Sequence, residues 1–301
     1  MRILDAIRSS KPSVSFEFYP PKDGATFGPL LERAARLEAL GPGFVSVTYG
    51  AGGGAEGAGR QAASIRATEE LAGATSAPRL AHLTLAGHSR PELVEVVGRF
   101  LASGVDGFMA LRGDPAGGPS APWRPVPGGL TYAYELVELI RDRTDLPIGV
   151  AAFPFGHPSA QSLEHDAVVL ARKQSSGADF ALSQVLFEAE AYSRLVERAA
   201  RHGATLPIIP GIMPITGSVR REKLELFAGG PLPEELAERV EQARRAADPD
   251  ELTRIGVDWC VELVAELLRA GAPGIHFYTL NSSAETEAIC RGAGLAPLSA
   301  N

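Results

Sequence analysis

Glu17 is the residue of this sequence whose setting most favours acid–base chemistry. It lies in the β-branched and aromatic stretch 13–18, which the double proline Pro20-Pro21 ends, and this pattern predicts a short strand. An ionised carboxylate is costly among apolar residues, so we expect this carboxyl group to keep its proton near neutral pH, as a general acid must. The alternative is that Glu17 lies on the exposed face of an edge strand.

Polar and aromatic residues also follow the other apolar segments of the chain. Random loop composition would not be expected to place reactive groups so regularly. These residues are Thr48 and Tyr49, His82 and Thr84, Arg112, Gly113 and Asp114, Phe153, Phe155 and His157, Gln184, the stretch 210–214, and His276, Tyr278 and Asn281.

The elements that must position these residues alternate between strand and helix. Eight apolar strands separated by helices predict a parallel sheet, and 301 residues favour an α/β fold of the closed (β/α)8 TIM-barrel type over an open doubly wound sheet. The pattern predicts one catalytic domain over residues 1–301, with extra helices between strands 7 and 8. Since the carboxyl ends of barrel strands share one face, the residues above should meet there. The predicted strands are 13–18, 44–49, 79–85, 107–111, 147–153, 179–184, 207–213 and 274–280.

Helix boundaries are also readable. Ser89 and Glu92 have the spacing of a capping box, and Asp248-Pro249 supplies a cap and a first-turn proline. The predicted helices cover residues 27–40, about 60–72, 89–104, about 132–143, a segment that includes Arg172 and Lys173, two or three segments before strand 8, and about 284–292.

Composition excludes several classes of protein. The net charge is −7 and no basic stripe is present, which argues against a nucleic-acid ligand. No segment approaches 18 uninterrupted apolar residues, so we expect no membrane span. The two cysteines, Cys260 and Cys290, lie in apolar helical patterns typical of buried thiols. The first eleven residues lack a signal-peptide apolar run, and together these features predict a cytoplasmic protein.

Other motifs permit two interpretations. The glycine-rich stretch 50–59 could wrap a phosphate, but it lacks a dinucleotide fingerprint, which favours simple flexibility. His82, His157 and His276 could converge on a metal, yet no ligand spacing supports this, so we expect no metal. Arg112-Gly113-Asp114 could form a local ion pair, although its place after a buried strand favours a ligand role. No serine has a nucleophile-elbow context, which argues against a hydrolase.

Taken together, the motifs resemble the methylenetetrahydrofolate reductase family over nearly the whole chain. No one motif is specific, but they occur in the family's order and spacing. They are residues 15–22 (SFEFYPPK), 44–53 (FVSVTYGAGG), 82–84 (HLT), 110–114 (ALRGD), 151–158 (AAFPFGHP), Gln184, 210–214 (PGIMP) and 276–281 (HFYTLN).

The resemblance implies a flavoenzyme. Bound FAD would be reduced by NADH or NADPH, and hydride would pass to 5,10-methylenetetrahydrofolate to give 5-methyltetrahydrofolate. Glu17 would be the general acid that promotes opening of the five-membered ring to an iminium. Asp114 would tune the flavin and pterin, and Gln184 would contact the substrate. Family members are commonly homo-oligomers, although no interface can be read from this sequence.

The resemblance also implies binding roles for particular residues. Cofactor contacts would come from Thr48, Tyr49, Ala51, His82, Arg112, Gly113, Asp114, Tyr132, Phe153, His157, Ala160, Asp166, Arg172 and Lys173, the last two at the FAD diphosphate. Substrate contacts would come from Gln184, Arg220, Tyr278 and Ser282.

Some positions depart from the family pattern. On the flavin side, Phe153 stands where a tyrosine is common, and Val169 replaces a polar residue. On the substrate or nicotinamide side, the family pattern has glutamine, phenylalanine and arginine where this chain has Arg220, Leu224 and Ser282.

Two alternatives therefore stay open: a flavoprotein that reduces another cyclic iminium or pterin-like substrate, and a non-catalytic flavin- or folate-binding subunit. Retention of Glu17, Asp114 and Gln184 argues against the second, because binding alone needs no general acid.

Overall fold

Eight parallel strands close into a barrel in the computed structural model of this chain. The structure describes residues 2–21, 26–49, 55–115, 121–216 and 220–296, without the side chains of 55–58 and 60. Each strand pairs with the next, and the eighth returns to the first, so the predicted TIM barrel is confirmed. The strands are β1 Ser13–Phe18, β2 Phe44–Val47, β3 Arg79–Thr84, β4 Gly107–Leu111, β5 Ile148–Ala152, β6 Phe180–Val185, β7 Ile208–Ile212 and β8 Gly274–Tyr278.

Helices cover the outside of the barrel, and three of them lie between β7 and β8, as predicted. The short first helix was not predicted, because five residues are too few to show a helical period. The helices are α1 Ile3–Ile7, α2 Gly28–Glu38, α3 Ala55–Glu70, α4 Arg90–Ala102, α5 Ala133–Arg141, α6 Leu163–Ser175, α7 Ala189–Arg201, α8 Arg221–Ala228, α9 Glu234–Arg245, α10 Pro249–Arg269 and α11 Ser283–Gly292.

Both predicted caps are present. The Ser89 backbone N–H donates to the Glu92 carboxylate over 2.7 Å at the start of α4. Asp248 accepts a 2.9 Å hydrogen bond from the Glu251 N–H at the start of α10, next to Pro249 in the first turn. These bonds satisfy backbone donors that have no partner within the first turn of a helix.

The barrel interior changes character along the strands. Side chains on a strand alternate, so Phe16 and Phe18 pack outward against the helices, whereas Phe44, Leu80 and Leu182 fill the interior together with Ile3 and Ile7 of α1. Two residues further along those same inward-facing rows come Ser46, His82 and Gln184. The interior is thus apolar near the start of the strands and polar at their carboxyl ends.

Gly211 of β7 lies where two chain segments approach closely. A Cβ there would come within 2.4 Å of Tyr278 Cε2 and 2.6 Å of the Ser183 carbonyl oxygen. We expect Gly211→Ala to lower the free energy of unfolding by about 1–3 kcal/mol, as overpacking does, measured by urea denaturation. The control is Gly98→Ala in α4, where an added Cβ meets nothing within 4 Å. Equal midpoints for both variants would contradict this close packing.

Candidate active site

Glu17 lies at the barrel mouth between two buried histidines. Its Oε2 is 3.4 Å from His82 Nε2 and 3.5 Å from His276 Nε2, although Glu17 itself is only 8% exposed. Neither histidine nitrogen forms a well-oriented hydrogen bond with any described residue. The edge-strand alternative is therefore wrong, because β1 pairs on both sides and the carboxylate faces the interior.

His276 is fixed by its neighbours. The Ser15 hydroxyl and His276 Nδ1 share a 2.9 Å hydrogen bond, which leaves Nε2 to face Glu17. The imidazole stacks on Phe44 at 5.8 Å between ring centroids and meets Tyr278 edge-on at 4.9 Å. Ser15 lies two residues before Glu17, so both side chains point into the barrel.

Burial controls the charge of the groups around Glu17. Burial lowers the pKa of His82; the charge of Glu17 opposes this shift and His276 adds to it. Burial, and then the charge of Glu17, raise the pKa of Tyr278 well above its usual value. A neutral imidazole and a protonated phenol therefore surround the carboxyl group, and both can form hydrogen bonds without adding charge.

Gln184 and Tyr278 face the same mouth from β6 and β8. The Tyr278 hydroxyl donates to the Ser183 carbonyl over 2.8 Å, and the Ser183 hydroxyl accepts from the Gly211 N–H over 2.9 Å. The Gln184 side-chain oxygen accepts from the Val185 N–H over 3.1 Å. These bonds tie the ends of three adjacent strands together and hold the half-buried Gln184 at the rim.

The segment after β4 holds an arginine and an aspartate that are both half-buried. Burial lowers the pKa of Arg112 and raises that of Asp114, and each charge opposes the shift of the other. Arg112 Nη2 lies 3.3 Å from His157 Nε2, and the guanidinium stacks over Trp123 at 4.9 Å. Arg112 Nε and Trp123 Nε1 are buried without a hydrogen-bonding partner in the described part of the chain.

A second cationic group lies beneath the ends of β5 and β6. Lys173 is 7% exposed, donates to the Ala151 carbonyl over 2.8 Å and lies 5.7 Å from the centre of the Phe153 ring. Burial lowers the pKa of Lys173 to about 8, which Asp166 opposes. Burial raises the pKa of Asp166, which Lys173 and Arg198 oppose. Lys173 and Arg112 are thus close enough for their charges to interact, and each has a carboxyl group beside it.

Further out, Arg172 and Tyr132 line an exposed rim. Tyr132 stacks on Tyr134 at 5.1 Å, and Arg172 lies 5.2 Å above Tyr134. Arg172 also pairs with Glu138 at 3.4 Å. The basic pair on α6 therefore divides: Lys173 is buried, whereas Arg172 belongs to the solvated face that is the default for helical charges.

Other residues predicted for the site take varied positions. The Tyr49 ring packs into the core against Phe100, so it turns away from the mouth. Leu224 is fully buried in the cluster formed by α8, α9 and α10, whereas Arg220 is exposed at the start of α8. The Ser282 hydroxyl bonds to Glu285. Thr48, Thr84, Gly113 and Ala160 lie in the segments that end or follow β2, β3, β4 and β5, and Ala51 lies outside the described residues.

Sequence reasoning assigned no role to Ser15, Trp123 or Arg198. Arg198 of α7 is 7% exposed and donates to the Pro154 carbonyl over 2.9 Å. A signal existed, because Ala191, Leu195, Arg198 and Ala199 share one helical stripe. Trp123 lies in a Pro- and Gly-rich stretch whose sequence carries no periodic signal.

His157 should make the stability of the protein pH-dependent. Burial, then the charges of Arg112 and Lys173, lower its pKa to about 4. An unfolded histidine titrates near 6.5, so acid protonates the unfolded state first and stability falls as pH drops from about 7 towards 4. For this half-exposed ring we expect a loss of about 1 kcal/mol at pH 5 after solvent screening. His157→Gln should flatten the plot of urea midpoint against pH, whereas His165→Gln, at an exposed histidine, should not. Parallel plots for wild type and His157→Gln would contradict this assignment.

The fold and the site define a class of protein: a (β/α)8 barrel that holds a buried acid at its mouth and two buried or half-buried cations, Lys173 and Arg112, near the ends of neighbouring strands. Among the described residues, no group of three or more His, Cys, Asp or Glu could hold a metal, and no helix is long and apolar enough to cross a membrane. The family model for methylenetetrahydrofolate reductase matches residues 2–294. The chain belongs to this family.

Individual relatives agree with the family match. The 5,10-methylenetetrahydrofolate reductase of Pectobacterium carotovorum is 34% identical over 287 residues, covering 95% of this chain and 91% of that protein. The enzyme of the same name from Escherichia coli K12 is also 34% identical over 287 residues, covering 95% of this chain and 92% of that protein. A Clostridium thermocellum protein that binds two copies of 5-methyl-5,6,7,8-tetrahydrofolic acid shares the fold, with a TM-score of 0.65 at 15% identity, covering 97% of this chain and 98% of that one.

Proposed function

We propose that this protein reduces 5,10-methylenetetrahydrofolate to 5-methyltetrahydrofolate, with FAD as bound cofactor and NADH or NADPH as reductant. The observation that carries the proposal is the buried carboxyl group of Glu17 between His82 and His276, in a chain of the methylenetetrahydrofolate reductase family. The reduction needs a proton at the leaving nitrogen of the five-membered ring, and a buried carboxyl group at the mouth is suited to supply it.

Glu17 acts as the general acid on this proposal. Proton transfer from its Oε2 to the ring nitrogen breaks the bond from the methylene carbon to that nitrogen and opens the ring to an iminium, the form of the substrate that accepts hydride. His82 and His276 face the same oxygen from two strands, so they hold it in place and stabilise the carboxylate that forms. Ser15 keeps the His276 ring in the orientation that this contact needs.

The residues present fit FAD. Its diphosphate requires fixed cations and N–H donors in a partly buried pocket, and Lys173 and Arg112 meet that requirement. The Arg112 Nε and Trp123 Nε1 donors and the Thr84 hydroxyl lack protein partners in the described chain, which is expected of groups that serve a ligand. When bound, FAD would supply the hydride chemistry between the nicotinamide and the folate, while Lys173 and Arg112 would hold its diphosphate. Asp114 places a carboxyl group beside Arg112, where its charge would tune the cofactor and the pterin.

Four further side chains complete the site on the substrate side. The folate or the nicotinamide contacts Gln184, Tyr278, Arg220 and Ser282. The chain forms one catalytic domain, assembles as a homo-oligomer and works in the cytoplasm. The net charge and the described structure give no reason to include nucleic acid or membrane among its partners.

The test is turnover by the purified protein supplied with FAD, NADH and methylenetetrahydrofolate. We expect folate-dependent NADH consumption and one 5-methyltetrahydrofolate per NADH, measured by absorbance and mass spectrometry. The proposal is wrong if the folate does not change the rate of NADH oxidation and no 5-methyltetrahydrofolate is formed. A second candidate function is reduction of another cyclic iminium. The observation that favours it is on the substrate side of the site, where Arg220 is exposed and Ser282 is bonded to Glu285. It predicts that the protein reduces this other iminium and does not reduce methylenetetrahydrofolate.

A further inference from the structure

A separate cleft opens at the rim where β1 and β8 end. It has a volume of about 170 Å³ and is lined by residues that follow these two strands together with the first turns of α2. The lining residues that matter here are Tyr19, Thr26, Pro29, Leu30, Arg33 and Asn281.

The wall of this cleft is a fixed junction between two strand ends. The Tyr19 N–H donates to Asn281 Oδ1 over 2.9 Å, and Asn281 Nδ2 donates back to the Tyr19 carbonyl over 3.3 Å. Leu280 and Asn281 take left-handed backbone conformations, with φ of 49° and 60°, to present that amide. Such strain is held where the surrounding contacts fix it, and it often marks binding sites.

The cleft borders the end of the strand that carries the acid. Tyr19 follows Glu17 by two residues, and the Glu17 carbonyl accepts a 2.7 Å hydrogen bond from the Thr279 hydroxyl just before Asn281. These contacts place the cleft on the part of the rim next to Glu17. Its apolar lining, Pro29 and Leu30 with the half-exposed Tyr19 ring, suits a flat aromatic segment.

Arg33 supplies the charge of the cleft. Its Nη1 donates to the Pro29 carbonyl over 3.1 Å, and it makes no ion pair with any other residue that the structure describes. Arg36, one turn further along α2, instead pairs with Glu287 at 2.7 Å. Ser282, beside Asn281, brings no cation to this rim, and its hydroxyl is bonded to Glu285. Among the described residues that line the cleft, Arg33 is therefore the cation.

We propose that this cleft binds the p-aminobenzoylglutamate arm of the folate, with Arg33 holding a glutamate carboxylate. The inference rests on the proposed function and assigns substrate specificity to one residue. A folate carries two carboxylates on its glutamate, and the net charge of −7 repels them, so a local cation is needed to retain the tail. A guanidinium can bind a carboxylate through two parallel N–H donors.

The experiment compares two ligands on the FAD-loaded protein: 5-methyltetrahydrofolate, and 5-methyltetrahydropteroate, which keeps the p-aminobenzoyl ring but lacks the glutamate and is called the tail-less ligand below. We expect wild type to bind the tailed ligand about tenfold more tightly by calorimetry, the range of a charge-assisted hydrogen bond. Arg33→Gln should abolish that preference while leaving the affinity for the tail-less ligand unchanged. Arg33→Lys should keep part of it, since the charge remains.

The control is Arg36→Gln, which removes the same charge from the same helix outside the cleft and should keep the full preference. The assignment is overturned if Arg33→Gln keeps the preference for the tailed ligand, or if it loses affinity for both ligands equally. It is also overturned if Arg220→Gln, and not Arg33→Gln, removes the preference. A wild-type protein that binds neither ligand would overturn the proposed function and this inference together. Binding of both ligands with an unaltered preference in Arg33→Gln would overturn the inference alone.

Discussion

Replacing Glu17 by Gln is expected to slow reduction of methylenetetrahydrofolate by about 10³-fold, the usual contribution of a positioned general acid. Glutamine keeps the shape of the side chain and its contacts with His82 and His276, but it cannot transfer a proton. NADH oxidation with menadione as acceptor should stay within about twofold of wild type, because that reaction needs no proton from this position. Steady-state rates with each acceptor measure the two effects.

The matched control for this variant is Glu32→Gln on the exposed face of α2, which makes the same change outside the mouth. It should leave both rates unaltered. Equal losses with the folate and with menadione in Glu17→Gln would show that Glu17 serves folding or nicotinamide binding, and would remove it from the role of acid.

Lys173→Met is expected to weaken FAD binding by about 100-fold. The ammonium group is buried and would supply a charge-assisted contact to an anionic cofactor. Its loss should therefore lower the binding free energy by the upper end of the range for hydrogen bonds to charged groups. The pKa of Lys173 is lowered to about 8 by burial, so deprotonation should weaken FAD binding by wild type as pH rises through about 8. In the methionine variant the dissociation constant should not change over that interval. Flavin fluorescence quenching at pH 7 to 9 measures both effects.

Lys223→Met makes the same substitution at an exposed lysine of α8 and should leave FAD affinity unchanged. Arg172→Gln should have a smaller effect than Lys173→Met, because the exposed Arg172 is already paired with Glu138. A dissociation constant for Lys173→Met within threefold of wild type would place the diphosphate elsewhere.

The barrel could be predicted from sequence because each strand has its own local signal. Caps such as Ser89 and Asp248 mark the helix starts, and apolar runs mark the strands. The predictions that failed concerned a short helix and the exact ends of strands. The strand predicted to reach Tyr49 ends at Val47, and the last bond to β1 is the one that the Thr48 N–H donates to the Phe18 carbonyl over 2.9 Å. Ile3 and Ile7 of α1 pack into the interior of the barrel, but a helix of five residues is too short to show a helical period in the sequence.

The site was only partly predictable, because its contacts join residues distant in sequence. Apolar neighbours indicated that Glu17 is buried, but they gave no sign of which histidines would face it. Period-two alternation, applied strictly, would have found Ser15 on the inner face with Glu17 and turned Tyr49 outward with Val47. Alternation cannot distinguish buried Lys173 from exposed Arg172, since that difference depends on how α6 rotates against the barrel.

The most direct test of the reductase assignment follows the flavin itself. The purified protein is loaded with FAD, reduced anaerobically with NADH, and mixed with methylenetetrahydrofolate while flavin absorbance is recorded. We predict rapid return of the oxidised flavin spectrum with one equivalent of 5-methyltetrahydrofolate formed, and no such return in Glu17→Gln. A wild-type flavin that stays reduced in the presence of the folate would contradict the account.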